Sequence, residues 1–236
     1  MREDICSIPV NDIFAPKDGC PFCRMRDMLE DRMATYITGA AMMEPDVRVE
    51  TNHKGFCKTH FDMILERGSR LSVALILETL LAEVEKDLLP EGDKVNLKKL
   101  LQNAERRQNS CFVCENVDKN MEHLCSSVVK MWQVEEDFRR LYAEQTHICA
   151  AHYSLIMKAA AKMPKKNFQA FADITTKLTR NYLREVNGDV SHFCKMFDYR
   201  NAGGDWGNSR DSIERAIHYL TARPVTTTTK SEGKNR

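Results

Sequence analysis

From Cys20 onward, Phe22, Met25, Leu29, Met33, Ile37 and Ala40 recur at steps of three and four residues until Pro45 interrupts them. That spacing keeps apolar side chains on one face of a helix with 3.6 residues per turn. Val113, Val117, Met121, Leu124, Val128 and Trp132 trace a second stripe of the same kind. Shorter helices are expected after Cys57, where Phe61, Ile64 and Leu65 lead to Gly68 as a C′ residue, and from Cys149 through Ile156. Met42 and Met43 also read as core. Unbroken helical stretches cover about 70–88 and about 166–186, and a short connecting helix is expected over about 94–107. A last helix starts near Asp211, with Glu214 at capping-box spacing, and stops before Pro224.

The two stripes share a register. A shift of 91 residues pairs Phe22 with Val113, Met33 with Leu124, Ile37 with Val128 and Val47 with Phe138. One inserted residue then brings Cys57 onto Cys149, His60 onto His152, Phe61 onto Tyr153 and Ile64 onto Ile156. An internal duplication of about 70 to 80 residues accounts for this. The expected fold is all-α: a helical bundle of two related three-helix repeats plus a C-terminal helix. The expected segments are an N-terminal arm (1–18), repeat 1 (19–89), a linker with a short helix (90–109), repeat 2 (110–187), a polar Gly/Trp loop with the C-terminal helix (188–224), and a disordered tail (225–236).

Charge narrows the classes of function. With 35 Lys and Arg against 34 Asp and Glu, the net charge is +1, which argues against a surface built for nucleic acid or membranes. The basic runs "KMPKK" and "KKLLQNAERR" read as solvated faces. The N-terminus has no apolar leader, and "LSVALILETLLAEVEKDLL" is broken by Glu78, Glu83 and Glu85, so it reads as a buried helix. The expected location is cytoplasmic.

Nine cysteines change the picture. In a reducing compartment such a count points to metal or redox chemistry rather than disulfides. Cys20 and Cys23 form CxxC, and Cys57 and His60 form CxxH, with 33 residues between the pairs. Cys111 and Cys114, then Cys149 and His152, repeat that order with 34 residues between. Each pair is a weak signal alone, whereas the repeated order is hard to explain by core packing. The reading is two Cys3His sites, Cys20/Cys23/Cys57/His60 and Cys111/Cys114/Cys149/His152, each holding Zn²⁺. Iron or an Fe–S cluster fits less well, because an all-cysteine ligand set is the commoner one for such clusters. The "CPFC" stretch resembles a glutaredoxin-like redox motif but lacks the βαβ setting that chemistry needs.

Other residues carry weaker signals. Cys6, Cys125 and Cys194 read as buried apolar fillers. The histidines outside the pairs read as surface or locally bonded, with His147 placed to support a ligand. Glu44/Asp46/Arg48 and Glu135/Asp137/Arg139 repeat Glu-x-Asp-x-Arg and read as helix-end ion pairs or as a ligand-recognition patch near each metal. Asp198, Tyr199, Arg200, Asn201, Asp205 and Trp206 form a non-repeated polar and aromatic loop that is a candidate lid or ligand-binding segment.

The two CxxC…CxxH units together with "FDYRN…DWGNSRDS" resemble an uncharacterised bacterial family known only as a domain of unknown function. The resemblance supports the helical, metal-binding reading and implies no activity. The function expected is an intracellular zinc protein acting as a structural or interaction module, with a protein or small-molecule partner. The alternative is a metal-dependent enzyme using one site with 198–206 as a lid.

Overall fold

The computed structural model describes residues 10–89 and 95–225. Cys6, the 90–94 part of the linker and the tail from 226 lie outside the described residues. Among the described residues every regular element is helical: α1 (Val10–Phe14), α2 (Pro21–Thr38), α3 (Pro45–Lys54), α4 (Lys58–Arg67), α5 (Arg70–Leu88), α6 (Leu97–Asn109), α7 (Phe112–Val134), α8 (Glu136–Ala143), α9 (Ala150–Ala160), α10 (Lys165–Met196) and α11 (Ser212–Thr221). The fold is all-α. No helix among the described residues is long and apolar enough to cross a membrane.

The chain divides into two compact units, one over 25–123 and one over 10–24 and 124–225 within the described residues. In the first, α3 and α6 both pack on α5. Arg48 donates to the Leu75 carbonyl at 2.8 Å and to Thr79 Oγ1 at 2.7 Å, tying α3 to α5. Asp87 of α5 accepts from Arg106 and Arg107 of α6, all three half-buried. In the second unit, α9, α10 and α11 pack on one another. Its core is an aromatic cluster in which Phe14 meets Phe22, Phe138 and Tyr142, and Phe171 meets Tyr142 and Trp132. The Tyr142 hydroxyl, fully buried, is satisfied by Thr175 Oγ1 at 2.9 Å.

The apolar stripes hold. Phe22, Met25, Leu29, Met33 and Ile37 are buried, as are Val113, Val117, Met121, Leu124, Val128 and Trp132. Several expectations differ. The first stripe ends at Thr38, short of Pro45, which instead occupies the first turn of α3, where its missing N–H costs nothing. Ala40 and Leu65 are exposed, and Met43 is exposed because it ends a 3₁₀ turn just before α3. Cys194 is exposed near the end of α10, a helix that runs about ten residues past its expected end with Gly188 inside it. Cys125 is buried as expected.

Gly68 has extended rather than left-handed backbone, with φ −80° and ψ 152°. Its lack of a side chain matters for space, since a Cβ there would lie 2.9 Å from the Ile64 carbonyl and from Thr38 Cγ2. Asp211 makes no capping hydrogen bond to α11; its carboxylate takes Arg215 Nε at 3.0 Å instead.

Candidate metal centres

The four helices that carry the candidate ligands begin in the same way. Cys20, Cys57, Cys111 and Cys149 each stand immediately before the first helical residue, with the second donor three positions on. Cys57 and Cys149 have extended N-cap backbone, and their carbonyls accept from Phe61 N and Tyr153 N, both at 2.9 Å. Neither side chain caps its helix. The N-cap and N3 side chains converge above a helix start, the geometry a capping box exploits. Here the pair is Cys and Cys, or Cys and His, so two donor atoms are presented where the helix dipole favours negative charge.

Two such starts meet in each centre, but not the two expected. Cys20 and Cys23 join Cys149 and His152, and Cys111 and Cys114 join Cys57 and His60, with the donor atoms of each set within 4.8 Å of one another. The eight donors therefore form two Cys3His clusters, with the CxxC and CxxH pairs exchanged between the two sequence segments. The sequence grouping Cys20/Cys23/Cys57/His60 and Cys111/Cys114/Cys149/His152 is corrected accordingly. Each cluster lies within one compact unit.

Local contacts explain the exchange. Arg24, next to Cys23, donates to the Ile13 carbonyl at 3.0 Å, the Pro16 carbonyl at 2.6 Å and Gln145 Oε1 at 3.3 Å. Buried Gln145 donates in turn to the Phe14 carbonyl at 2.7 Å, and Thr146 donates to Lys17. The loop before Cys20 is thus laced to the loop before Cys149. In the other cluster the Gly55 carbonyl accepts from Phe112 N at 2.9 Å, and Ser110 Oγ donates to the Lys54 carbonyl at 2.7 Å, lacing the approach to Cys57 onto the start of α7. Gly55 has φ 66° and ψ −161°, a region essentially closed to other residues.

The spacing fits a tetrahedral ion. Bonds of about 2.3 Å to sulfur and about 2.0–2.1 Å to nitrogen place sulfurs about 3.8 Å apart and sulfur about 3.5 Å from nitrogen. Cys23 Sγ and Cys149 Sγ are 3.7 Å apart, and His152 Nδ1 lies 3.2 to 3.9 Å from the three sulfurs. Cys57 Sγ and Cys114 Sγ are 3.8 Å apart, and His60 Nδ1 lies 3.2 to 3.4 Å from its three sulfurs. Both imidazoles present Nδ1. The clusters differ in access: Cys20, Cys23, Cys149 and His152 are all buried, whereas Cys57 and Cys114 are half-buried.

Without an ion, three neighbouring thiols cannot all ionise. Burial pushes the Cys20 thiol up to about 12. Hydrogen bonding to Cys149 pushes Cys23 far above the usual range, while bonds from Cys20 and Cys23 hold Cys149 far below it. In the other cluster the bond from Cys114 lowers Cys111 to about 3, and the same bond raises Cys114. Burial disfavours a charged His60, but hydrogen bonds with Cys111 and Glu30 outweigh it and raise its pKa to about 10. Each metal-free cluster thus concentrates one thiolate against protonated neighbours. A divalent cation would release those protons and offset the buried negative charge.

The other candidates fall elsewhere. Glu44 and Glu135 are the N-cap residues of α3 and α8, and Asp46 and Asp137 lie in the first turns, where acidic groups favour the helix start. Asp137 pairs with Arg140. Arg48 binds α5 as described, and Arg139 lies over the Trp132 ring at 5.7 Å. Asp198 pairs with Arg200 and caps a 3₁₀ turn, and Asn201 Nδ2 donates to the Lys195 carbonyl at 2.7 Å. The Asp205 carbonyl accepts from His192 at 2.8 Å, and Trp206 packs edge-on against Phe193 and Phe197, while Tyr199 is exposed. These contacts fold the 198–206 segment onto the end of α10. His147 is buried and stacked on Tyr182, with ring centroids 3.7 Å apart, and burial lowers its pKa to about 4.

Three residues that the sequence alone does not single out matter here: Arg24, Gly55 and Glu30. Glu30 had a signal, because Arg26 and Glu30 place charges at i, i+4 beside an otherwise apolar stripe, and both are buried. No curated protein and no solved structure matches the chain. A family model does match, over residues 1–227, and by it the chain belongs to a family of unknown function, DUF6062.

Proposed function

We propose that the protein is an intracellular zinc protein in which each Cys3His cluster holds one Zn²⁺ as a structural clasp, and that its helical surface serves as a protein-interaction module in the cytoplasm. The observation that carries this reading is the tetrahedral spacing of four donors at each cluster. A closed set of three thiolates and one imidazole leaves no coordination position for substrate and suits Zn²⁺ better than hard or octahedral ions. Each ion would join two helix starts that the chain brings together from distant positions. The enzyme alternative draws no support from the 198–206 segment, whose Asp198, Arg200 and Asn201 are engaged locally.

Elemental analysis and X-ray absorption on the purified protein test the reading. The expected result is two zinc ions per chain, each bound by three sulfurs and one nitrogen. Iron with inorganic sulfide, or a folded protein that binds no metal, would overturn it.

A further inference from the structure

The His60 ring has two ends with different surroundings. Nδ1 faces the thiols of Cys57, Cys111 and Cys114. Nε2 is buried and faces Glu30, whose Oε1 lies 3.5 Å from it. Glu30 is 4% exposed, so its carboxylate is held among side chains rather than in water. Arg26 Nε stands 3.8 Å from the same oxygen, on the preceding turn of α2, and offsets the buried charge. A histidine that ligates through one nitrogen ordinarily donates its other N–H to a carboxylate or carbonyl, which fixes the tautomer and raises the ligand's basicity. At the same position of the second sequence segment, 91 residues on, stands Met121, which offers no carboxylate.

We infer that Glu30 is a positioning residue of the Cys57/His60/Cys111/Cys114 centre, accepting the Nε2 proton of His60 so that Nδ1 is held toward the thiolates. The inference rests on the zinc reading and deepens it. Glu30 acts through the imidazole. It also makes the two centres unequal, since one histidine is braced by an acidic side chain supplied by a helix that gives that centre none of its ligands.

The test uses the full-length, zinc-loaded protein and its Glu30→Gln and Glu30→Asp variants. In the wild type, long-range proton–nitrogen NMR is expected to show His60 protonated at Nε2, with a downfield, slowly exchanging proton. Glu30→Gln should shift that resonance upfield and leave the His152 ring signals unmoved. Chelator competition should show one of two zinc ions held about 10- to 100-fold more weakly and the other unchanged. Glu30→Asp should fall between wild type and Gln. A His60 bare or metal-bound at Nε2 in the wild type overturns the inference without any variant. So does a folded Glu30→Gln protein whose two affinities stay within about twofold of wild type, against the loss anticipated for such a partner. If the wild type holds no metal at all, the zinc reading itself falls, and the two failures are therefore distinguishable.

Discussion

Cys23 Sγ lies 3.7 Å from Cys149 Sγ although 126 positions separate them in the chain, whereas Cys57 is 34 positions from Cys23 yet belongs to the other cluster. Loop entropy barely opposes this. A fourfold longer closure costs about 1.2 kcal/mol, less than the set of hydrogen bonds that lace the Lys17 and Gln145 loops together. With an ion bound, each centre would act as a long-range staple, and removing the ion would remove more than a local contact.

Metal removal should accordingly destabilise the fold. With free zinc a thousandfold above the dissociation constant, each site contributes about 4 kcal/mol. For a chain of this size that corresponds to a fall in Tm of roughly 8–16 °C per site. Thermal unfolding followed by circular dichroism, with and without a strong chelator, measures it.

Gly55 occupies a backbone conformation, φ 66° and ψ −161°, that a side chain strains, although a Cβ would meet no atom within 4 Å. Gly55→Ala should cost about 1–3 kcal/mol from the backbone alone. Denaturant unfolding reads the loss. Zinc at the Cys57 centre should weaken with it, because the Gly55 carbonyl positions the start of α7.

Zinc uptake should release protons. Cys20 and Cys23 have raised pKa values, as do Cys114 and His60, so at neutral pH each metal-free centre holds two protons at these groups that an ion must displace. The sign follows: a donor with a raised pKa is protonated below it, so affinity rises with pH. The rise should become less steep above about pH 10 at the Cys57 centre, where His60 loses its proton, and above about 12 at the Cys20 centre. Calorimetric titration in buffers of different ionisation enthalpy counts the protons released.

The half-buried Cys57 and Cys114 make their centre the more accessible. Alkylation of the zinc-loaded protein should label exposed Cys194 before Cys57 and Cys114, and these before Cys20, Cys23 and Cys149. Mass spectrometry of timed digests gives the order.

The sequence made the eight cluster residues legible because each pair sits at N-cap and N3 of a helix, a three-residue spacing visible in the text of the chain. It made α2 and α7 legible because Leu29 and Leu124 lie on unbroken apolar stripes. The grouping was not legible: the repeated order Cys, Cys, Cys, His is the same whether each centre closes within a segment or across segments. Contacts such as those of Arg24, Gln145 and Gly55 decide it. The short helices α3 and α8 were hidden for another reason. Pro45 ends one pattern and starts another, and Glu-x-Asp-x-Arg reads equally well as a helix end or a helix beginning. Met43 and Leu65 followed an apolar pattern that tertiary packing left in water.

The exchanged pairing is tested most directly by counting zinc in two double variants. Cys20→Ser/Cys149→Ser removes two donors from one centre and should keep one zinc ion per chain, held by the Cys57 centre. Cys20→Ser/Cys57→Ser removes one donor from each and should weaken both, leaving no tightly held zinc. The reverse result, with one tight ion retained by Cys20→Ser/Cys57→Ser and none by Cys20→Ser/Cys149→Ser, would contradict the arrangement.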